Sequence, residues 1–219
     1  MKREIRPVVF GLATASILAL MLVGCGGPPA THYYVLELTP RAEASAPAEA
    51  ERGLTVGVKT FQVDPPYDQD RIVYRTRERS TEVGFYAYHR WATPLSRMLP
   101  LAVVTGLEGA DGLRLIEPAV TGRSYDAYLV GRVLALEEID HSGGQDIVVR
   151  LRLALRSGDG TELWSEVLTA EDTINTREVG DIVERMSRVM GRAIEAARSS
   201  FGQAVSDARA DLERDRPPA

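Results

Sequence analysis

Between Ile147 and Leu155 every odd position is aliphatic, while Arg150, Arg152, Ala154 and Arg156 take even positions. Period two puts one set on each face of a strand, so a buried face backs onto a wet one. A longer, mostly apolar run from Ala127 to Ile139 precedes it, and His141-Ser142-Gly143-Gly144 turns between them. Gly158-Asp159-Gly160 is a second turn signal. A three-residue loop there sets Leu155 opposite Leu163 and Leu151 opposite Val167, and pairs Arg156 with Glu162 and Arg152 with Glu166. Gly160 then takes a left-handed conformation. The chain from 127 onward therefore reads as a three-strand meander.

After Asn175 the period lengthens. Val179, Ile182, Val183, Met186, Val189, Met190 and Ile194 form one apolar stripe of a helix of about seven turns. Asn175 fits the N-cap and Glu178 the reciprocal position of a capping box. Earlier, Thr93-Pro94 opens a second helix, with Thr93 as cap and Leu95, Met98, Leu99, Ala102 and Val103 on one face. Pro100 lies within it and should kink or split it, having no N–H to donate back to Ser96. Shorter strand signals fall at Tyr33–Leu38, Leu54–Val58 (half-buried by its alternation), Arg71–Thr76, Val83–Tyr88 and Leu113–Ile116. The expected fold is α+β: a mixed, mainly antiparallel sheet ending in the meander, packed by a Pro-kinked helix and a long C-terminal helix.

The first 24 residues break this pattern. Lys2, Arg3 and Arg6 precede an apolar run from Val8 to Leu22, the layout of an export signal. The run is slightly short for a spanning helix, which needs roughly 20 apolar residues; a signal-anchor helix is the competing reading. Leu22-Val23-Gly24-Cys25 resembles the bacterial lipobox, in which the cysteine receives a diacylglyceryl group, the leader is cut before it, and the new amino terminus is acylated. Cys25 is the sole cysteine, so no intrachain disulfide competes. Each buried CH₂ contributes about 0.8 kcal/mol, so two or three chains anchor firmly where one does not. Gly26 in place of Asp favours the outer membrane over retention at the inner one. The expected organisation is a signal over 1–24, a tether over 25–32, one domain over 33–205 with an Ala/Pro/Glu-rich linker at 40–53, and a polar, frayed tail over 206–219.

Charge narrows the partners. The whole chain carries −5, and removal of the cationic leader makes the remainder more acidic. That argues against nucleic acid and against electrostatic adhesion to anionic lipid. His32, His89 and His141 have no metal-ligand spacing. Asp64, Asp68 and Asp70 lack the calcium-loop pattern and flank two prolines, so they read as a turn. Glu137, Glu138 and Asp140 close a strand and read as a solvated edge rather than a catalytic pair. Phosphate-loop, dinucleotide, zincin and nucleophile-elbow motifs are missing. No enzyme and no cofactor are implied. Tyr86, Tyr88 and Trp91 are candidates for a lipid groove or partner contact, against core packing as the plainer reading.

The order of motifs is informative. After the lipobox come Tyr33-Tyr34-Val35-Leu36, Leu54–Val58, Pro65-Pro66-Tyr67-Asp68, Arg71-Ile72-Val73-Tyr74-Arg75, His89-Arg90-Trp91-Ala92 with Pro94-Leu95, and Tyr125-Asp126-Ala127-Tyr128-Leu129-Val130. In this order they resemble the ABC-type transport auxiliary lipoproteins, the PqiC-like proteins of Gram-negative bacteria. The resemblance implies an accessory part of an MCE-type lipid transport system, held by acyl chains on the periplasmic face of the outer membrane. It further implies an MCE-domain partner whose tunnel is received by a homo-oligomeric ring, with the ATPase on other subunits. It carries no catalytic residue; only Cys25 transfers as a site. The alternatives are a lipid- or solute-binding lipoprotein, a lipoprotein regulator of an envelope enzyme, and placement on the periplasmic face of the inner membrane.

Overall fold

The computed structural model describes residues 29–38 and 53–214. The leader, Cys25 and all but the last residue of the 40–53 linker lie outside the described residues.

One strand organises the sheet. β7 (Ala127–His141) pairs along its whole length with β8 (Gly144–Ser157), which pairs in turn with β9 (Glu162–Ile174), both antiparallel. The other edge of β7 is divided among three shorter strands, all parallel to it. β2 (Leu54–Val58) meets Ala127–Leu129, β3 (Gln62–Val63) meets Arg132–Val133, and β4 (Arg71–Thr76) meets Glu138–Asp140. From β2 the sheet continues to β6 (Leu113–Pro118). From β4 it continues to β5 (Arg79–Trp91) and then to β1 (His32–Tyr34). The α+β class holds: the sheet is mixed, with its longest ladders antiparallel. β2 is buried throughout, not half-buried: β6 and β7 flank its two edges, Tyr125 packs over Gly57, and Asp126 binds the Thr55 hydroxyl.

The β8–β9 turn departs from the expected register. Arg156 does face Glu162, but a bulge follows, so Leu155 faces Trp164 and Leu151 faces Leu168. The extra residue turns Leu163 and Val167 outward and brings Trp164 and Leu168 to the helix side. Arg152 consequently faces Val167, and Glu166 faces Leu153. Burying an indole outweighs one exposed ion pair, which contributes only about 0–1 kcal/mol. Gly160 does take the left-handed conformation, with φ +96°.

Both helices cover the face that carries Leu151, Leu153 and Leu155. α1 (Leu95–Leu107) starts one residue later than expected: Pro94 occupies the N-cap and Thr93 makes no cap. Pro100 neither ends nor splits it, because the Ser96 carbonyl it leaves without a helical donor accepts from the Phe61 N–H at 3.0 Å. At the other end Arg198 donates to the carbonyls of Gly106 and Glu108 at 2.9 and 2.8 Å.

α2 (Val179–Arg214) starts four residues beyond Asn175 and runs through most of the expected frayed tail. Thr176 organises its entry: its hydroxyl donates to Asp181 and accepts from the Glu178 N–H. The apolar stripe continues through Phe201 and Val205, both fully buried, with Phe201 edge-on to Trp164 at 5.7 Å. Arg185 and Arg192 reach from α2 to Asp172 on β9 at 2.7 and 3.0 Å.

β1 is shorter than the Tyr33–Leu38 signal. Val35–Leu38 leaves the sheet as an extended strap against the helices: the Leu36 N–H points at Met98 Sδ (3.2 Å) and the Glu37 N–H at Ser187 Oγ (3.2 Å).

Candidate functional site

The corner where β1 joins the sheet gathers most of the chemistry-bearing side chains. The β1–β5 register sets His32 opposite His89 and Tyr34 opposite Trp91. The two imidazoles stack with centroids 5.3 Å apart. The Tyr34 hydroxyl and His89 Nδ1 share a hydrogen bond at 2.9 Å. Burial, and then the neighbouring His32, hold His89 below the usual histidine range, while Glu178 pulls weakly the other way.

Tyr86 extends the cluster inward. Its ring meets His89 edge-on at 5.7 Å and tilts against Tyr74 at 5.0 Å. Its hydroxyl donates to Glu138 Oε2 at 2.7 Å. Burial raises the Tyr86 hydroxyl far above the usual phenol range, and the Glu138 hydrogen bond adds to this. Glu138 is itself only 3% exposed, and burial raises its carboxyl. Its neighbour Glu137 accepts from Arg75 Nε at 2.6 Å. Tyr67, pushed up to about 12 by burial and by Glu137, touches the same guanidinium.

The expectation of a solvated edge at Glu137–Glu138 is therefore corrected. Both are buried, and each has its own partner. As adjacent strand residues they point to opposite faces, which also separates them as an acid–base pair.

The three aromatics singled out in the sequence go to different surroundings. Tyr86 belongs to the cluster just described, Tyr88 is 40% exposed, and Trp91 is buried in the core, its backbone N–H donating to the Asp70 carbonyl at 2.6 Å. Among the described residues no ring contact joins them. Two of the three aspartates of the acidic turn are in ion pairs: Asp64 with Arg132 at 2.6 Å and Asp70 with Arg90 at 2.5 Å. His141 accepts from the Gly143 N–H and faces Asp146 at 3.3 Å. No group of three or more potential metal ligands occurs among the described residues.

Sequence reasoning missed the joint role of His32, Tyr34, Tyr74 and His89. Their association depends on β1 pairing with a strand more than fifty residues away, which no local spacing reveals.

Outside this corner, a groove of about 420 Å³ runs between the Val35–Leu38 strap and α1, lined by Leu36, Leu38, Met98 and Ala102. Val35 and Leu101 stand at its rim, 55% and 57% exposed, and Tyr33 on the edge strand is 66% exposed. No helix among the described residues is long and apolar enough to cross a membrane.

The family model described as the ABC-type transport auxiliary lipoprotein component matches residues 34–197, from β1 to the middle of α2. The chain belongs to this family. A solved structure of similar fold is protein XCC0632 from Xanthomonas campestris, described as DUF330. It is 16% identical with a TM-score of 0.64, over 84% of this chain and 99% of that one. An uncharacterized protein follows at 16% identity and TM-score 0.58, over 81% and 100% of the two chains. The hypothetical protein CT253 from Chlamydia trachomatis gives 9% and 0.50, over 71% and 99%. At these identities the likeness is one of fold. No curated protein matched the sequence. For a transport auxiliary lipoprotein, the match places β2 to β9 and α1 within the family's shared body, while the first two residues of β1 and the last 17 residues of α2 extend beyond it.

Proposed function

We propose that this auxiliary lipoprotein is acylated at Cys25 after removal of residues 1–24 and works on the periplasmic face of the outer membrane. There it docks the tunnel of an MCE-domain protein belonging to an ABC-type lipid transport system. The observation that carries this reading is the family match across residues 34–197. The protein acts by position, as a partner rather than an enzyme. The raised hydroxyls of Tyr67 and Tyr86 and the raised carboxyl of Glu138 are each accounted for first by burial, with charged neighbours within the fold adding to it. Exposed Tyr33 and Val35 border the open edge of β1, a few residues after the acylated cysteine, and this edge is the proposed docking face.

The test is photo-crosslinking in cells from positions 33, 35 and 101 of the full-length protein, with mass-spectrometric identification of the captured chain. An MCE-domain protein is the expected capture. A peptidoglycan synthase, or no MCE protein, would overturn the docking role. Cys25→Ser should lose the acyl mass and leave the membrane fraction on salt washing; a Cys25→Ser protein still embedded would mean a spanning leader instead.

A further inference from the structure

The face of the meander opposite the helices holds a second cluster. On β8, Arg152 and Arg156 project away from the buried Leu151, Leu153 and Leu155. Between them Ala154 pairs with Val130 of β7, and these small and apolar side chains leave a depression of about 410 Å³. Two more cations close its rim. Arg132 sits directly across from Arg152, and Lys59, in the loop after β2, lies 4.3 Å above the Tyr128 ring.

The charges here do not balance. Like charges directly opposite on neighbouring strands are destabilising, and the Arg132–Arg152 pair is such a case. Asp64 takes up Arg132 at 2.6 Å. Glu162 is shared between Arg156 at 3.4 Å and Arg152 at 3.7 Å, so neither contact is tight. Four cations thus face two carboxylates, in a chain whose net charge is −5. About half of each of Arg132, Arg152 and Arg156 is in water, so a ligand can reach their donors.

We propose that this depression binds a phosphate ester. Arg132, Arg152, Arg156 and Lys59 all line it. That suits a tetrahedral oxyanion with three or more acceptor oxygens better than the two coplanar oxygens of a carboxylate. Thr60 and Gln62 add neutral hydrogen-bonding groups at the rim. The Val130–Ala154 floor accepts the carbon side of the ester. The phosphate belongs either to a lipid headgroup or to a free small molecule, and the chemistry recognised is the same. This inference does not depend on the docking role proposed above.

The test uses the full-length acylated protein in an uncharged detergent, titrated with sn-glycerol 3-phosphate and, separately, with dihexanoyl-phosphatidylglycerol, followed by calorimetry and ³¹P line broadening. R152Q and R156Q should each weaken binding by about tenfold, the size of one charge-assisted contact. R123Q, remote from the depression, should leave binding unchanged. E162Q should tighten it several-fold by removing the competing carboxylate, and it keeps the test decisive if an arginine variant fails to fold. Tighter binding of the lipid probe assigns a headgroup; equal binding assigns a free phosphate ester. Affinity unchanged in R152Q and R156Q, no gain in E162Q, or binding of a glutamate-rich peptide with neither phosphate would overturn the proposal.

Discussion

Asp172 tests how α2 is held on the sheet. Its Oδ2 accepts from Arg185 and Arg192, and these two guanidinium groups hold its carboxyl at about 2 instead of 3.8. The folded value lies below the unfolded one, so the ionised form stabilises the fold. That stability is complete above about pH 4 and is lost as pH falls toward 2. At about 1.36 kcal/mol per pH unit the difference sets a ceiling of about 2.5 kcal/mol. Asp172 is one-quarter exposed and Arg192 about half, so solvent screening reduces this to about 1 kcal/mol. Arg185 adds a second cost, because its Nε is buried with no hydrogen-bond partner and depends on its neighbouring nitrogen to reach Asp172. Asp172→Asn should therefore lower the unfolding free energy by about 1–2 kcal/mol at pH 7. The assay is urea unfolding read by Trp164 fluorescence, with a double-mutant cycle to Arg185→Gln. Coupling of about 1 kcal/mol is expected. Additive effects of the two substitutions, or an equal loss at pH 2 and pH 7, would refute the account.

Two further predictions concern the corner near β1. His89 is held below its unfolded value, so its unprotonated form favours the fold; its contribution is present above about pH 6.5 and is lost on acidification. Thermal melts between pH 7.5 and 5 should show a falling midpoint that His89→Gln flattens; a midpoint that rises toward pH 5 would contradict this. A β-carbon on Gly84 would lie 2.3 Å from the Tyr74 ring. Gly84→Ala should cost about 1–3 kcal/mol through overpacking, and Tyr74→Ala in the same chain should recover part of it; no loss in chemical denaturation would show that the ring moves freely.

Legibility followed sequence distance. The period of two from Ile147 to Leu155 and the apolar stripe on α2 each reflect one element facing one core, and both were plain in the chain. The β8–β9 register was not, because a bulge adds a residue without changing the alternation on β8. The end of α2 was missed because Ser206–Arg214 is polar on most faces. There Ala208 alone is buried. The parallel pairings of β2, β3 and β4 with β7 leave no local trace. Nor does the partnering of Glu137 and Glu138, whose partners Arg75 and Tyr86 lie on β4 and β5. Asp126, part of the Tyr125–Val130 motif, has a structural role that emerges only in three dimensions: it accepts from both the N–H and the hydroxyl of Thr55 at 2.7 and 2.6 Å, pinning β2 beside β7.

The division of one β7 edge among three earlier strands bears on the order of folding. β7, β8, β9 and α2 are consecutive in the chain and meet through short connections, so they can assemble early. β2, β3 and β4 have to wait for a strand synthesised fifty to seventy residues later, and closing such long loops is slow. A chain emerging amino end first would thus hold the first half of its sheet with unsatisfied edges until β7 arrives. During that interval it would be the natural client of a holding chaperone.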